Sequence, residues 1–192
     1  MMSEPAPRQA LQQRVTDAIL DGAARTFAIQ GDQASMSDVA AAAGVARATV
    51  YRYFPNRQAL VDELARAAVR DADARLAAAR IDEVEPEEGI ARAVRALVDV
   101  GDSFVLLARE RARSDPERFE RSLTRPLRHL FDRGQTEGDI RGDIASDRLT
   151  ESLIGLIAGV LTSSPPLGTE DMVATITALF LDGARARGPR MT

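Results

Sequence analysis

The chain has 192 residues, 45% of them hydrophobic, with 25 basic and 29 acidic residues and a formal net charge of −4. That length allows one large domain or two small ones, and that apolar share is enough to bury a core, which excludes a chain disordered by composition. Cysteine and lysine are both absent, so disulfides, thiolate metal sites, a phosphate-loop lysine, a Schiff base and a lysine general base are excluded, and every basic residue is arginine.

Residues 1–8 are rich in proline and polar groups. They are expected to form a flexible arm, and they contain no apolar signal-peptide core, which fits a cytoplasmic protein, as the absence of cysteine fits a reducing compartment. From Gln9, the residues Leu11, Val15, Ala18, Ile19, Gly22, Ala23 and Phe27 form a stripe at helical spacing that Gly31 ends. Ser37 is the expected N-cap of a short second helix over 38–43, with Asp38 favourably placed against the helix dipole and Val39, Ala40 and Ala43 facing inward. Gly44 supplies a positive-φ turn. A third helix is expected over 46–54, anchored by Val45 and Val50 and stopped by Pro55. Asn56 caps a fourth, which carries Leu60, Val61, Leu64, Ala67 and Ala68 to about Ala79 and has no internal Gly or Pro.

Beyond Pro86, the residues Ile90, Val94, Leu97, Val98, Gly101, Val105 and Ala108 fit one stripe. Pro116 opens a further segment with Phe119, Leu123, Leu127, Leu130 and Phe131, and Pro126 predicts a kink or a fresh start inside it. Gly134, Gly138 and Gly142 mark a loop. Ser146 is the expected cap of a helix over 147–163, apolar almost all round. Its apolar core, 153–161, is far short of the roughly 20 residues that a membrane-spanning helix needs. Pro165 and Pro166 break it, and a last helix runs from Thr169 to about Arg187. No period-2 run indicates a strand, so the expected fold class is all-α with about nine helices. The expected organisation is an arm (1–8), a three-helix reading head (9–55) and a larger helical part (56–192).

The residues richest in chemistry lie between Gly44 and Gln58. This window holds Arg47, Arg52 and Arg57, no acid, and both tyrosines of the chain, Tyr51 and Tyr53. Its charge is +3, whereas residues 81–192 sum to −5. A local basic tip on an acidic body points to a focused contact with DNA and not to a general coating of nucleic acid. A short helix with arginine, hydroxyl and aromatic groups, set off by a glycine turn, suits the major groove. There an arginine binds guanine bidentately, and the methyl groups of Ala48 and Thr49 suit a thymine methyl. Tyr51 also reads as a packing residue between helices, Arg52 as a solvated surface arginine, and Phe54 as core.

The run Ser-Asp-Val-Ala-x-x-Ala-Gly-Val at 37–45, followed by Thr-Val-Tyr-Arg-Tyr-Phe-Pro-Asn-Arg at 49–57, resembles the TetR family of bacterial transcriptional regulators over about residues 10–62. Glu-Gly-Asp-Ile-Arg-Gly-Asp-Ile at 137–144 is similar to that family's C-terminal part. Ala46 departs from the pattern, because the family often has a serine there to cap the recognition helix. The resemblance implies a homodimeric helix-turn-helix regulator, by default a repressor, that binds a palindromic operator and is released by a small-molecule effector. It turns Arg47, Ala48, Thr49, Tyr51 and Arg52 toward the groove and Tyr53 toward a phosphate. Ser37, Asn56 and Arg57 would touch phosphates. It also implies an effector pocket in the middle helices, with candidate lining residues Asp102, Ser103, Phe104, Leu107, Arg109, Phe119, His129 and Phe131. The last two helices would pair with their copies through Leu153, Ile157, Val160, Leu161, Ile176, Leu179 and Phe180.

Neither a cofactor, a metal nor a membrane partner is expected. The single histidine, His129, cannot build a His-based metal site, and no Ser-His-Asp set or cysteine nucleophile points to an enzyme. The alternative to a regulator is a helical protein-interaction module whose helix-turn-helix is purely structural.

Overall fold

The computed structural model describes residues 7–110, 115–163 and 167–186. Most of the expected arm and the break at Pro165 and Pro166 lie outside them. Among the described residues there are nine helices and no strand. They are α1 (Pro7–Gln30), α2 (Met36–Ala42), α3 (Arg47–Tyr53), α4 (Arg57–Ala79), α5 (Pro86–Val98) and α6 (Asp102–Glu110). α7 follows as one continuous run of Pro116–Phe119, Glu120–Thr124 and Arg125–Glu137, then α8 (Ser146–Leu161) and α9 (Thr169–Ala184). A single antiparallel bridge joins Ile140 to Arg185, with Arg141 N–H donating to the Ala184 carbonyl and Ala186 N–H to that of Asp139.

The chain divides into two compact units, Met1–Ala65 and Arg66–Thr192, and α4 supplies residues to both. The first unit buries Ile19, Ala23 and Phe27 of α1 with Val39, Val50, Phe54, Leu60 and Leu64. Gly22 is what lets α1 reach α2: a Cβ there would sit 2.8 Å from the Ala43 backbone nitrogen. The second unit is built on a continuous apolar core that includes Leu76, Ile90, Leu97, Phe104, Leu127, Leu153 and Ile176. Within it the rings of Phe131 and Phe180 meet at 5.5 Å, tilted by 40°.

The helices divide differently from the expectation. The stripe over 90–108 is two helices, because the chain turns at Gly101, whose φ of +67° no helix tolerates. The segment after Pro116, by contrast, is one helix. Pro126 has no N–H, and in a regular helix its ring would collide with the carbonyl of Ser122. The turn before it widens instead to a π-turn over Glu120–Thr124, in which Arg125 N–H reaches back to the Glu120 carbonyl. Gly134 is not loop but the buried interior of that helix, since a Cβ there would lie 2.5 Å from Ile140 Cγ1. Gly138, at φ +88°, is the residue that ends it. Ser146 is the first residue of α8 and not its cap, which is Ala145, without a side-chain bond.

Candidate nucleic-acid interface

α2 starts two residues earlier than its sequence suggests, because its cap is Ser35 and not Ser37. The Ser35 hydroxyl accepts from Asp38 N–H at 3.2 Å and donates to the Asp38 carboxylate at 2.6 Å, and Ser35 N–H donates to the same carboxylate at 2.9 Å. Those bonds hold the Asp38 carboxyl below its ordinary pKa, the Ser35 side-chain bond contributing most. Ser37 is thereby freed from capping and is exposed in the first turn.

The turn after α2 closes through Gly44 at φ +66°. Val45 N–H donates to the Ala40 carbonyl at 3.0 Å and Gly44 N–H to that of Ala41 at 3.2 Å, the bond pair of a left-handed helix end. Arg25 of α1 adds a cation to the same helix end, donating to the Ala42 carbonyl at 2.9 Å. Nothing in the sequence distinguished Arg25 from the other surface arginines, since the partner is a backbone oxygen 17 positions away.

α3 starts at Ala46 without a side-chain cap, as its sequence implies. Val50 is fully buried and fixes the face that α3 turns inward. The opposite face carries Arg47, Ala48, Tyr51 and Arg52, all exposed, with Thr49 and Tyr53 half-buried at its edges. Tyr51 is 39% exposed, and the Arg47 guanidinium lies 5.4 Å from its ring centroid and 3.4 Å from its hydroxyl oxygen. Arg52 lies 5.3 Å from the ring of Tyr53 in the same way. Tyr51 therefore belongs to the outer surface of α3. Among the described residues neither Arg47 nor Arg52 makes an ion pair, so both charges remain available to an anion.

At the start of α4, Asn56 accepts from Ala59 N–H at 2.8 Å and caps the helix as expected. Arg57, expected to touch a phosphate, is also tied into the first unit itself. It is half-buried, sits 4.8 Å from the Phe27 ring, and donates to the carbonyls of Gly31 and Ala34 at 3.3 and 3.5 Å. It braces the turn between α1 and α2.

A family model described as bacterial regulatory proteins, tetR family, matches residues 19–64, the stretch that holds this helix-turn-helix. The HTH-type transcriptional repressor LfrR of Mycolicibacterium smegmatis is 35% identical over 122 residues, which are 60% of this chain and 61% of that repressor. The chain thus spans less than two thirds of that relative's length. The crystal structure of LfrR from Mycobacterium smegmatis in complex with proflavine matches 90% of this chain and 97% of its own, at TM-score 0.72 and 25% identity. Residues 19–64 carry the helix-turn-helix of the TetR family. The same fold occurs in AibR in complex with isovaleryl coenzyme A and operator DNA, at TM-score 0.66 and 18% identity over 86% of this chain and 97% of that one.

The other residues that the TetR resemblance pointed to fall into different environments. Phe104, Leu107, Phe119 and Phe131 are buried in the core of the second unit, Asp102 and Ser103 are half-buried at the start of α6, and His129 is exposed. The side chain of Arg109 lies outside the described residues. Leu153, Ile157 and Ile176 are fully buried within this chain, and Phe180 nearly so, so they are not surface on which a second copy can pack. Leu179 is 59% exposed, Val160 and Leu161 are half-buried, and Gly155, Gly159 and Gly183 face open space. The apolar circumference of α8 and α9 is thus spent mostly inside the chain, and a narrower small-residue strip is left outside. No helix among the described residues is long and apolar enough to cross a membrane.

Proposed function

We propose that this chain is a transcriptional repressor that binds a palindromic operator as a homodimer and is released from it by a small-molecule effector. One observation carries the reading. The glycine turn at Gly44 and the buried Val50 turn outward a face of α3 that holds two arginines with no carboxylate partner among the described residues. Such a face fits the major groove, where Arg47 and Arg52 meet base edges or phosphates, Ala48 and Thr49 meet thymine methyls, and Tyr51 and Tyr53 reach the backbone. Ser37 and the N-terminus of α4 at Asn56 flank it as phosphate contacts. The repressor role of LfrR supports the same reading, as does its complex with proflavine for the effector.

The effector is received by the second unit, in the apolar core around Phe104, Leu107, Phe119 and Phe131. A molecule that binds better to the form with lower operator affinity must weaken DNA binding by linkage. Two reading helices about 34 Å apart, one turn of B-DNA, require the dimer.

Fluorescence anisotropy with palindromes from the DNA flanking the gene tests the reading. Wild-type protein is expected to bind one such site with an affinity that falls steeply with salt. Arg52→Ala is expected to weaken that binding by about 1–3 kcal/mol, roughly 5- to 150-fold, while sedimentation still gives the dimer. Unchanged affinity in Arg52→Ala would remove that residue from the interface. No sequence preference in the wild type would leave the helix-turn-helix a purely structural element.

A further inference from the structure

The outer face of α3 meets DNA in one direction only if the turn before it holds one shape. Residues 43–46 alone separate the end of α2 from the start of α3, so a change in that turn swings Arg47, Tyr51 and Arg52 together. The last carbonyls of α2 show how the turn is held. That of Val39 accepts from Ala43 N–H at 2.9 Å, that of Ala40 from Val45 N–H at 3.0 Å, and that of Ala41 from Gly44 N–H at 3.2 Å. Ala42 is the last residue of α2, and no backbone N–H of the turn reaches its carbonyl. That oxygen accepts instead from Arg25 Nη2, 2.9 Å away.

α1 is built to deliver this bond. Gly22 lies three residues before Arg25, on the same side of the helix, and brings α1 so close to the turn that a Cβ would sit 2.8 Å from the Ala43 nitrogen. The Arg25 side chain reaches the turn from that fixed contact. Arg25 is exposed and makes no ion pair among the described residues, so neither burial nor a carboxylate accounts for where its guanidinium lies. Its charge also suits the negative end of the α2 dipole. Arg57 bonds the Gly31 and Ala34 carbonyls ahead of α2, so an arginine stands at each end of that helix.

We propose that Arg25 is a positioning residue for DNA recognition: its bond to the Ala42 carbonyl fixes the α2–α3 turn and with it the direction in which α3 enters the groove. The proposal rests on the operator reading given above. Arg25 itself touches neither base nor phosphate. Without its donors the turn samples other shapes, and apparent affinity falls by the fraction of copies in which α3 is correctly set. If that fraction is about one third in each of two copies, operator binding weakens about tenfold.

Two measurements on the full chain test this. Amide exchange in the DNA-free protein reads the turn directly. In Arg25→Met, which keeps an apolar stem and loses every donor, the Gly44 and Val45 amides should exchange about tenfold faster, while core amides of α4 keep their wild-type rates. Fluorescence anisotropy should show operator binding weakened about tenfold in Arg25→Met. Arg25→Lys keeps a charged donor and should restore most of both. The slope of log affinity against log salt should match that of wild type, because no phosphate contact is lost, whereas losing one in each copy would reduce it by about two. The proposal is overturned if the Gly44 and Val45 amides of Arg25→Met exchange at the wild-type rate, if operator affinity does not fall, if the salt slope drops by about two, or if Arg25→Lys restores neither property. Loss of the helical signal in Arg25→Met would overturn it as well, since the residue would then hold the whole unit and not the turn. A wild type that binds no palindrome removes the proposed function, and amide exchange then decides the brace alone.

Discussion

Asp38 and Arg57 show how single residues around α3 separate into those that hold the reading face and those that form it. Asp38 accepts from Ser35 twice, and its carboxyl is held below the ordinary aspartate value chiefly by the Ser35 side-chain bond. In the unfolded chain that bond is absent, so the unfolded state takes up the proton first as pH falls. The contribution of the cap is therefore complete above the ordinary aspartate pKa of about 3.9 and is lost as pH drops through the lower native value. Asp38→Asn keeps an acceptor and loses the charge, so its stability should change less with pH in that acid range than that of the wild type. Parallel slopes in acid urea titrations would refute the role given to Asp38. Arg57 lies on the holding side as well. Removing its bonds to the Gly31 and Ala34 carbonyls should cost about 1.5–3 kcal/mol of stability in Arg57→Ala. A thermal melt separates this from Arg52→Ala, which should leave the melting temperature unchanged.

At the scale of elements, what could be read from the sequence was whatever depends on short-range chemistry. Gly44 needed its positive φ, Asn56 its capping geometry and Val50 its inward position, and all three stand in the structure where local rules put them. The true cap of α2 was also legible, since Ser35 and Asp38 have the spacing of a capping box. Ser37 concealed it by being an equally good residue type two positions on. The division of the helices depended on longer-range packing. Pro126 could widen one turn of α7 and leave the helix whole, and Gly134 could be helical because Ile140 packs where its side chain would be. The contact between α1 and α2 is of the same kind, and it yields a sharp expectation. In Gly22→Ala the new methyl would meet backbone atoms of Ala43 at 2.8–3.0 Å, which cannot rotate away as a side chain can. The two helices must part, at a cost of about 1–3 kcal/mol, despite the better helix propensity of alanine. Urea denaturation that finds Gly22→Ala more stable than wild type would show that α1 shifts without penalty.

At the scale of the whole molecule, the charge and the apolar surface suit the proposed dimer in different ways. The chain carries −4 overall with +3 between Gly44 and Gln58, so one copy presents a small basic face, and two copies held together present two. The family resemblance implied that α8 and α9 pair with their copies, through residues that include Leu153, Ile157 and Ile176. A helix apolar almost all round shows that it is buried on several sides, and it cannot show which side belongs to its own chain. The structure separates these sides. Leu153, Ile157 and Ile176 have no surface left to bury, whereas Leu179 is 59% exposed and Gly155, Gly159 and Gly183 have room for a close neighbour. A substitution inside the chain and one on the outer strip should therefore fail in different ways. Ile176→Ala should lose about 2–5 kcal/mol of stability as a core cavity, whatever the protein concentration. Leu179→Arg places a charge on the outer strip, where an isolated chain keeps it solvated and a paired one must desolvate it twice. It should fold with its full helical signal, sediment as a monomer at micromolar concentration, and lose operator affinity, although no residue near the DNA has changed. A Leu179→Arg protein that stays dimeric would move the interface away from α9. One that is monomeric yet binds the operator as tightly as wild type would mean that a single copy of α3 is sufficient.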